Sequence, residues 1–194
     1  MKIKTYKLEH NFSSVDFSNE TEVWFGDPCY VVPGWDDDYD LWEKLCDKMF
    51  QQVTVQNPET GEVHTCHEPS FDERNNIRVV EIDDVQFDEP VRFYMWSTSY
   101  GDGCYPLVKD GDGVISKLGV DAGCLSVVPM SLIKKWNKEE DARELGYVTD
   151  DFRKARLEVE NGDMFWGDYS LHTGGEDVEE EDPWMECDEE SYIN

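Results

Sequence analysis

The sequence has few basic residues and no long apolar run, and each shortage excludes a class of function. Seventeen Lys and Arg stand against 45 Asp and Glu, which gives a net charge of −28. Phosphate binding needs Lys and Arg, so such a chain repels nucleic acid and anionic membranes. No apolar run approaches the roughly 20 residues of a membrane span, and the N-terminal residues lack the apolar centre of a signal peptide. We therefore expect a cytoplasmic protein with no direct nucleic-acid partner and no membrane partner.

Closely spaced cysteine pairs are also lacking. The cysteines are scattered and no secretory signal precedes them, which favours reduced thiols that pack as small apolar groups; they are Cys29, Cys46, Cys66, Cys104, Cys124 and Cys187. The segment His64-Thr65-Cys66-His67 is the most metal-like cluster, but a structural zinc site needs four ligands, and no second Cys or His pair is present. We interpret the segment as the end of a strand. The sequence predicts no metal or cofactor, with a divalent cation as the open alternative.

Catalytic motifs are lacking as well. None of the four histidines stands in a recognisable relation to a serine or cysteine, and there is neither a GxSxG turn nor a phosphate-binding glycine loop. Asp110-Gly111-Asp112-Gly113 has the spacing of part of a calcium loop, yet Val108 and Gly119 occupy the first and twelfth positions, where carboxylates are required. An Asp-Gly hairpin turn explains the same residues. The sequence therefore favours a protein that is not an enzyme.

A dense β pattern is present between Val91 and Val128. It predicts strands at 91–97, 105–109, 114–120 and 124–128. The second and third strands are joined across residues 110–113, because Asp-Gly between apolar runs is a strong hairpin signal. A tight turn at 100–103 precedes them, and Pro129 ends the last strand because proline cannot donate to a sheet ladder. These strands predict the centre of an antiparallel sheet.

Two amphipathic helices accompany the strands. From Asp40 onward the apolar residues recur at the helical period and form one stripe that should lie on the sheet, namely Leu41, Trp42, Leu45, Cys46, Met49 and Phe50. Ser131 can cap a second helix that ends at about Leu145, before Gly146.

Further strands complete the predicted fold. We expect them at 2–9, 22–32 and 77–82, with hairpins at 53–66 and 156–166. Pro28 should place the strand at 22–32 at an edge or kink it. The class is α+β, a mainly antiparallel sheet in two hairpin groups with two helices packed on it. We expect one domain over residues 1–173 and an acidic tail over 174–194.

Three turns each place an aspartate beside a cysteine at the end of a predicted strand. The three aspartates are Asp27, Asp102 and Asp121. Their carboxylates, together with Cys29, are the catalytic candidates. If the strand ends converge, these groups and the binding candidates Tyr30, Tyr100 and Tyr105 could line one pocket that holds a cation or performs acid–base chemistry. The alternative is that each aspartate caps its own turn by accepting backbone N–H groups.

The acidic charge is concentrated at the C-terminus. Arg156 is the last basic residue, and 10 of the 15 residues from 176 to 190 are acidic. Such a segment attracts basic partners over roughly 8–10 Å at physiological salt. The binding candidates here are four acids and one aromatic residue, namely Glu179, Glu180, Glu181, Asp182 and Trp184.

Short motifs carry a family resemblance. GDPCY at 26–30 is followed by a Trp-containing helix, and TSYGDGCYP at 98–106 and VDAG at 120–123 come later. This combination resembles an uncharacterised family of bacterial and phage proteins with DPCY-type and TGYGDGxYPV-type motifs; Thr98-Ser99 stands here where the family has Thr-Gly. The resemblance covers 23–42 and 93–128 and implies a phage-type origin. It implies no mechanism, because no activity is established for the family.

The sequence as a whole favours a non-catalytic acidic binding or regulatory protein. Duplex DNA carries roughly one negative charge per 1.7 Å of axis, so a compact chain of this charge can imitate DNA toward a basic nucleic-acid-binding protein of the host. A phage protein of this kind would be a DNA mimic or an anti-defence inhibitor in the host cytosol. Two alternatives stay open: a metal-dependent or small-ligand-binding enzyme that uses the Asp/Tyr pocket, and a phage structural or assembly protein.

Overall fold

The computed structural model describes residues 2–8, 12–17, 19–34, 41–56, 63–69, 75–83, 88, 90–151 and 154–174. Within them, strands dominate and are numbered in chain order: β1 Lys2–Lys7, β2 Phe12–Asp16, β3 Val23–Gly26, β4 Phe50–Gln56, β5 Val63–Pro69, β6 Arg78–Asp83, β7 Val91–Ser97, β8 Gly103–Lys109, β9 Gly113–Val120, β10 Cys124–Pro129, β11 Tyr147–Thr149, β12 Lys154–Glu160, β13 Asp163–Trp166 and β14 Tyr169–Leu171. The helices are α1 Leu41–Met49, α2 Met130–Lys135 and α3 Glu139–Leu145.

The described strands form two six-stranded sheets and one separate hairpin. The first sheet has the order β1-β6-β7-β10-β3-β11, the second has the order β2-β12-β13-β14-β8-β9, and β4 pairs with β5. Every described pair is antiparallel. The prediction of an α+β fold built mainly on antiparallel sheet is confirmed.

The first sheet is buried on both faces. Because successive side chains of a strand point to opposite faces, each strand contributes to two cores. Between the two sheets, Phe25, Trp96 and Val127 pack against second-sheet residues such as Leu107 and Trp166. The opposite face is covered by the helices, and its core contains Trp24, Val80, Ile82, Phe93, Met95, Leu41, Leu45, Leu132 and Ile133. The molecule is therefore layered as helices, first sheet and second sheet.

Helix α1 lies on the first sheet as its apolar stripe predicts. Leu41 and Leu45 are fully buried and Cys46 is nearly so, in the same core as Val80 and Ile82 of β6. The helix ends one residue before the predicted stripe does, because Phe50 begins β4. Asp40, from which the predicted helix begins, lies outside the described residues.

The prediction of one helix from 131 to 145 is wrong. Helix α2 ends at Lys135 and α3 begins at Glu139, because Asn137 between them adopts a left-handed conformation with φ of 57° that a continuous helix does not allow. The N-cap position of α2 is Pro129, which supplies no side-chain bond, so Ser131 is not the cap. The second helix does end before Gly146, as predicted.

Two expectations about the strands also need correction. Strand β3 pairs with β10 on one side and β11 on the other, so it is not an edge strand; Pro28 instead begins a 3₁₀ turn, Pro28–Tyr30, that ends the strand. The stretch from Val91 to Val128 is divided between the sheets. Strands β7 and β10 are neighbours in the first sheet, whereas β8 and β9 form a hairpin at the edge of the second.

Candidate functional site

The three Asp-containing turns lie together at one end of the two sheets. Gly26 pairs with Ser126, and Ser97 pairs with Cys124, so the residues that follow β3 and β7 meet the residues that precede β10. The links between the sheets, 98–102 and 121–123, are joined directly by the Thr98 N–H, which donates to the Gly123 carbonyl at 3.0 Å. We call residues 27–30, 98–105 and 121–123 the turn cluster.

Asp27 lies at the centre of the turn cluster and is fully buried. One carboxylate oxygen accepts the Cys29 backbone N–H at 2.9 Å, which caps the 3₁₀ turn. The other accepts the N–H groups of Asp121 at 2.8 Å and Ala122 at 2.7 Å. Burial raises the pKa of Asp27 to about 6, and the hydrogen bonds oppose that rise. Asp27 therefore caps its own turn and also fastens the link that leads into β10.

Cys29 is half-buried and its thiol is hydrogen-bonded to Asp27. Burial raises the pKa of Cys29 well above its usual range, and the negative charges of Asp27, Asp121 and Asp102 raise it further. The thiolate, not the thiol, is the nucleophile. Cys29 is therefore protonated at neutral pH and has the surroundings of a structural cysteine.

Asp102 and Asp121 are exposed, unlike Asp27. The Tyr30 hydroxyl donates to Asp121 Oδ2 at 2.9 Å, and partial burial together with this bond raises the pKa of Tyr30. The pKa of Asp102 is raised mainly by partial burial and less by the negative charge of Asp121. The hydrogen bond from the Gly123 N–H opposes this rise. Among the described residues neither carboxylate forms an ion pair with Lys, Arg or His. The outer surface of the turn cluster thus carries two adjacent negative charges.

The loop that carries Tyr100 is fixed on both sides of this residue. Thr98 Oγ1 lies 2.6 Å from the Gly101 carbonyl, with which it can bond as a donor, and it accepts the Gly101 N–H at 3.0 Å. The Tyr105 hydroxyl donates to the same carbonyl at 2.9 Å. Tyr105 is buried in the inter-sheet core, whereas the Tyr100 side chain is 67% exposed.

The chain passes the turn cluster again just before the acidic C-terminal segment. Asp163 accepts the Thr173 N–H at 2.6 Å and lies 3.0 Å from His172 Nδ1. Thr173 Oγ1 in turn accepts the Ser99 N–H at 2.8 Å. Gly162 lies so close to Ser99 that a methyl group on it would overlap the Ser99 backbone. The last described residues are therefore fastened to the loop that carries Tyr100.

Sequence reasoning did not identify Thr98, Asp163 or Thr173 as parts of this region. Thr98 belongs to the motif TSYGDGCYP at 98–106, but its role depends on its hydrogen bond with Gly101 across the turn. Asp163 follows Asn161-Gly162 within the predicted hairpin at 156–166, and its carboxylate accepts the N–H of Thr173, ten positions later. A short polar residue next to a turn was the available signal in each case.

The other candidate groups do not combine into a metal site within the described part of the chain, where no group of three or more His, Cys, Asp or Glu side chains is arranged to hold an ion. Residues 110–113 form the hairpin turn between β8 and β9, with positive φ at Gly111 and Gly113 as the hairpin interpretation requires. Residues 64–67 lie within β5, and their side chains are outside the described set. Glu179, Glu180, Glu181, Asp182 and Trp184 also lie outside it.

The described helices include none that is long and apolar enough to cross a membrane. No family model matches the chain, and neither a curated protein nor a solved structure does.

Proposed function

We propose that the protein is a non-catalytic acidic binding protein whose partner is a basic, nucleic-acid-binding protein of the host cell, and that it acts as a phage-type DNA mimic or anti-defence inhibitor. The observation that carries the proposal is the position of the acidic groups. The exposed carboxylates of Asp102 and Asp121 stand at the end of the molecule where Gly174 leads into a segment with 10 acids in 15 residues.

The buried groups of the turn cluster support binding over catalysis. The Asp27 carboxylate is occupied by three backbone N–H groups, and burial keeps the Cys29 thiol protonated. A general base must reach the proton that it removes, and a nucleophilic cysteine needs a lowered pKa. These residues hold the exposed surface in place, and the exposed surface is where a partner binds.

The charge sets the chemistry of that partner. Exposed carboxylates steer a positively charged protein toward the complex and exclude nucleic acid itself. Charge attraction of this kind weakens as salt is raised, because exposed charges are screened beyond a Debye length of about 8–10 Å. A DNA mimic has the further property that its partner also binds DNA, so the two compete.

A pull-down from bacterial lysate tests the proposal. The tagged protein is compared at about 50 and 300 mM salt with a variant that lacks residues 175–194, and duplex DNA is added as competitor. We expect capture of a nucleic-acid-binding protein at the lower salt, release by DNA or by the higher salt, and weaker capture by the shortened variant. Capture that survives both salt and DNA, or no capture at about 50 mM salt, would contradict the proposal.

A further inference from the structure

The Tyr100 side chain is largely exposed, although hydrogen bonds fix the loop that carries it. It has the highest exposure of the large apolar side chains in the described residues, at 67%, and its ring makes no described ring contact. The backbone on either side is held by Thr98, Ser99 and Gly101, as described above. A tyrosine on such a backbone loses little conformational freedom when a partner covers it, which is the property of a binding anchor.

The turn cluster that contains Tyr100 also carries two exposed negative groups. Asp102 follows two positions later in the same loop, and its carboxylate accepts the N–H of Gly123, which stands two positions after Asp121. Each keeps a carboxylate exposed to solvent. An aromatic face next to carboxylates suits a cation that can stack and donate hydrogen bonds at once.

Arginine fits these requirements better than lysine. Its planar guanidinium stacks on an aromatic face and donates to carboxylates in a fixed fork, whereas the lysine ammonium is a strongly hydrated point charge. We propose that Tyr100, Asp102 and Asp121 bind an arginine side chain of the basic partner. This inference rests on the proposed function and adds the residue type that the partner presents.

The acidic C-terminal segment has a different role in binding the partner. Gly174 lies against Ser99, since a methyl group on Gly174 would be 3.8 Å from Ser99 Oγ. In the sequence, the run of acids begins two residues after Gly174. The segment supplies long-range attraction, whereas Tyr100 and the two aspartates supply short-range selection of arginine.

Two labelled peptides, octa-arginine and octa-lysine, provide the probes. Their binding to the full chain is measured by fluorescence anisotropy at about 50 mM salt, where charge attraction is only weakly screened. We expect Tyr100→Ala to weaken octa-arginine binding about three- to fivefold and octa-lysine binding less, because stacking on an exposed aromatic ring is worth about that factor. Tyr100→Phe, which keeps the ring, should bind both peptides as the unaltered protein does.

The aspartates have a matched control at the far end of the same hairpin. Asp102→Asn with Asp121→Asn removes two charges beside Tyr100, whereas Asp110→Asn with Asp112→Asn removes two charges about 20 Å away along β8 and β9. We expect the first pair to weaken octa-arginine binding several-fold more than the second. Equal losses from the two pairs would overturn the inference.

The remaining outcomes separate this inference from the proposed function. If Tyr100→Ala binds both peptides as the unaltered protein does, or weakens both equally, while deletion of 175–194 abolishes binding, the arginine site is wrong and the acidic binding function stands. If the unaltered protein binds neither peptide, the proposed function fails and the inference fails with it. Urea unfolding of each variant checks that the fold is retained, which is expected because Tyr100, Asp102 and Asp121 are exposed.

Discussion

The carboxylate of Asp27 accepts the backbone N–H of Asp121 at 2.8 Å across a separation of 94 residues. Asp27 follows β3 in the first sheet, and Asp121 begins the link by which the chain returns from the second sheet. One buried side chain therefore joins two segments that the sequence keeps far apart. The exposed part of the turn cluster is positioned by this bond.

Replacing Asp27 with asparagine should destabilise the protein. One amide oxygen cannot replace two carboxylate oxygens that accept three N–H groups, and the amide NH₂ would face a donor. We expect a loss of about 1–3 kcal/mol in the free energy of unfolding at pH 7, measured by urea denaturation. Asp102→Asn, at an exposed position, should change it by less than about 0.5 kcal/mol, and equal effects of the two would contradict the role given to Asp27.

The stability supplied by Asp27 should depend on pH. Its pKa is about 6 in the folded protein against 3.8 for an ordinary aspartate, so the folded state keeps a proton that the unfolded state releases between these values. This proton-linked contribution, which adds to that of the hydrogen bonds, is fully present below about pH 4 and is lost as pH rises through about 6, a change of roughly 3 kcal/mol.

The difference in unfolding free energy between the unaltered protein and Asp27→Asn isolates this effect. The difference should shrink as pH rises from about 4 to 7, in urea titrations at each pH. Other carboxylates cancel in the comparison, including Glu81, whose pKa is lowered by Arg92 and Lys4 and which acts in the opposite direction. A difference that stays constant or grows with pH would show that Asp27 is not the titrating group.

Gly162 should tolerate alanine less well than Gly111 does. Both have positive φ, 88° and 84°, so both substitutions incur backbone strain of about 1 kcal/mol. Only at Gly162 would the new methyl group also meet backbone atoms, those of Thr98 and Ser99, whereas nothing lies within 4 Å at Gly111. We expect Gly162→Ala to cost about 1–3 kcal/mol more than Gly111→Ala by urea unfolding, and equal costs would contradict the close packing of this turn on the Tyr100 loop.

The Cys29 thiol should react slowly with alkylating reagents. Burial raises its pKa, and the surrounding carboxylates raise it further, so little thiolate forms even at pH 8.5. We expect iodoacetamide to modify Cys29 at least tenfold more slowly in the folded protein than in urea, as followed by peptide mass spectrometry. Modification at equal rates in the two conditions would restore Cys29 as a candidate nucleophile.

Local signals predicted most of the strands that lead into the turn cluster but not their arrangement in space. Gly111 and Gly113 mark the β8–β9 turn, and Asn161-Gly162 marks the next hairpin, because these dipeptides accept the positive φ of tight turns. That Asp27 meets Asp121 depends on the pairing of β3 with β10, whose register of Gly26 with Ser126 joins residues 100 positions apart. No local pattern encodes such a pairing.

The sequence did not predict β2, β11, β14 or the break between α2 and α3. Strands β11 and β14 have three residues each, too few to show an alternating pattern, and β11 is a strand because β3 offers it an edge. The break between α2 and α3 depends on the left-handed conformation of Asn137, which asparagine adopts more readily than most residues but does not always adopt. The polar stretch Asn137-Lys138-Glu139 alone does not distinguish a break from a solvent-facing turn of helix.

The β8–β9 hairpin emerges between two strands that are themselves neighbours, since β7 and β10 pair with each other in the first sheet. The two segments that connect this hairpin to the first sheet, 98–102 and 121–123, both lie in the turn cluster. A partner bound to the cluster would therefore restrain the base of the hairpin. Binding there should slow the opening of the pairing between β8 and β14 at the distant tip near Lys109. Amide hydrogen exchange at that tip would then report, from about 20 Å away, whether the cluster is occupied.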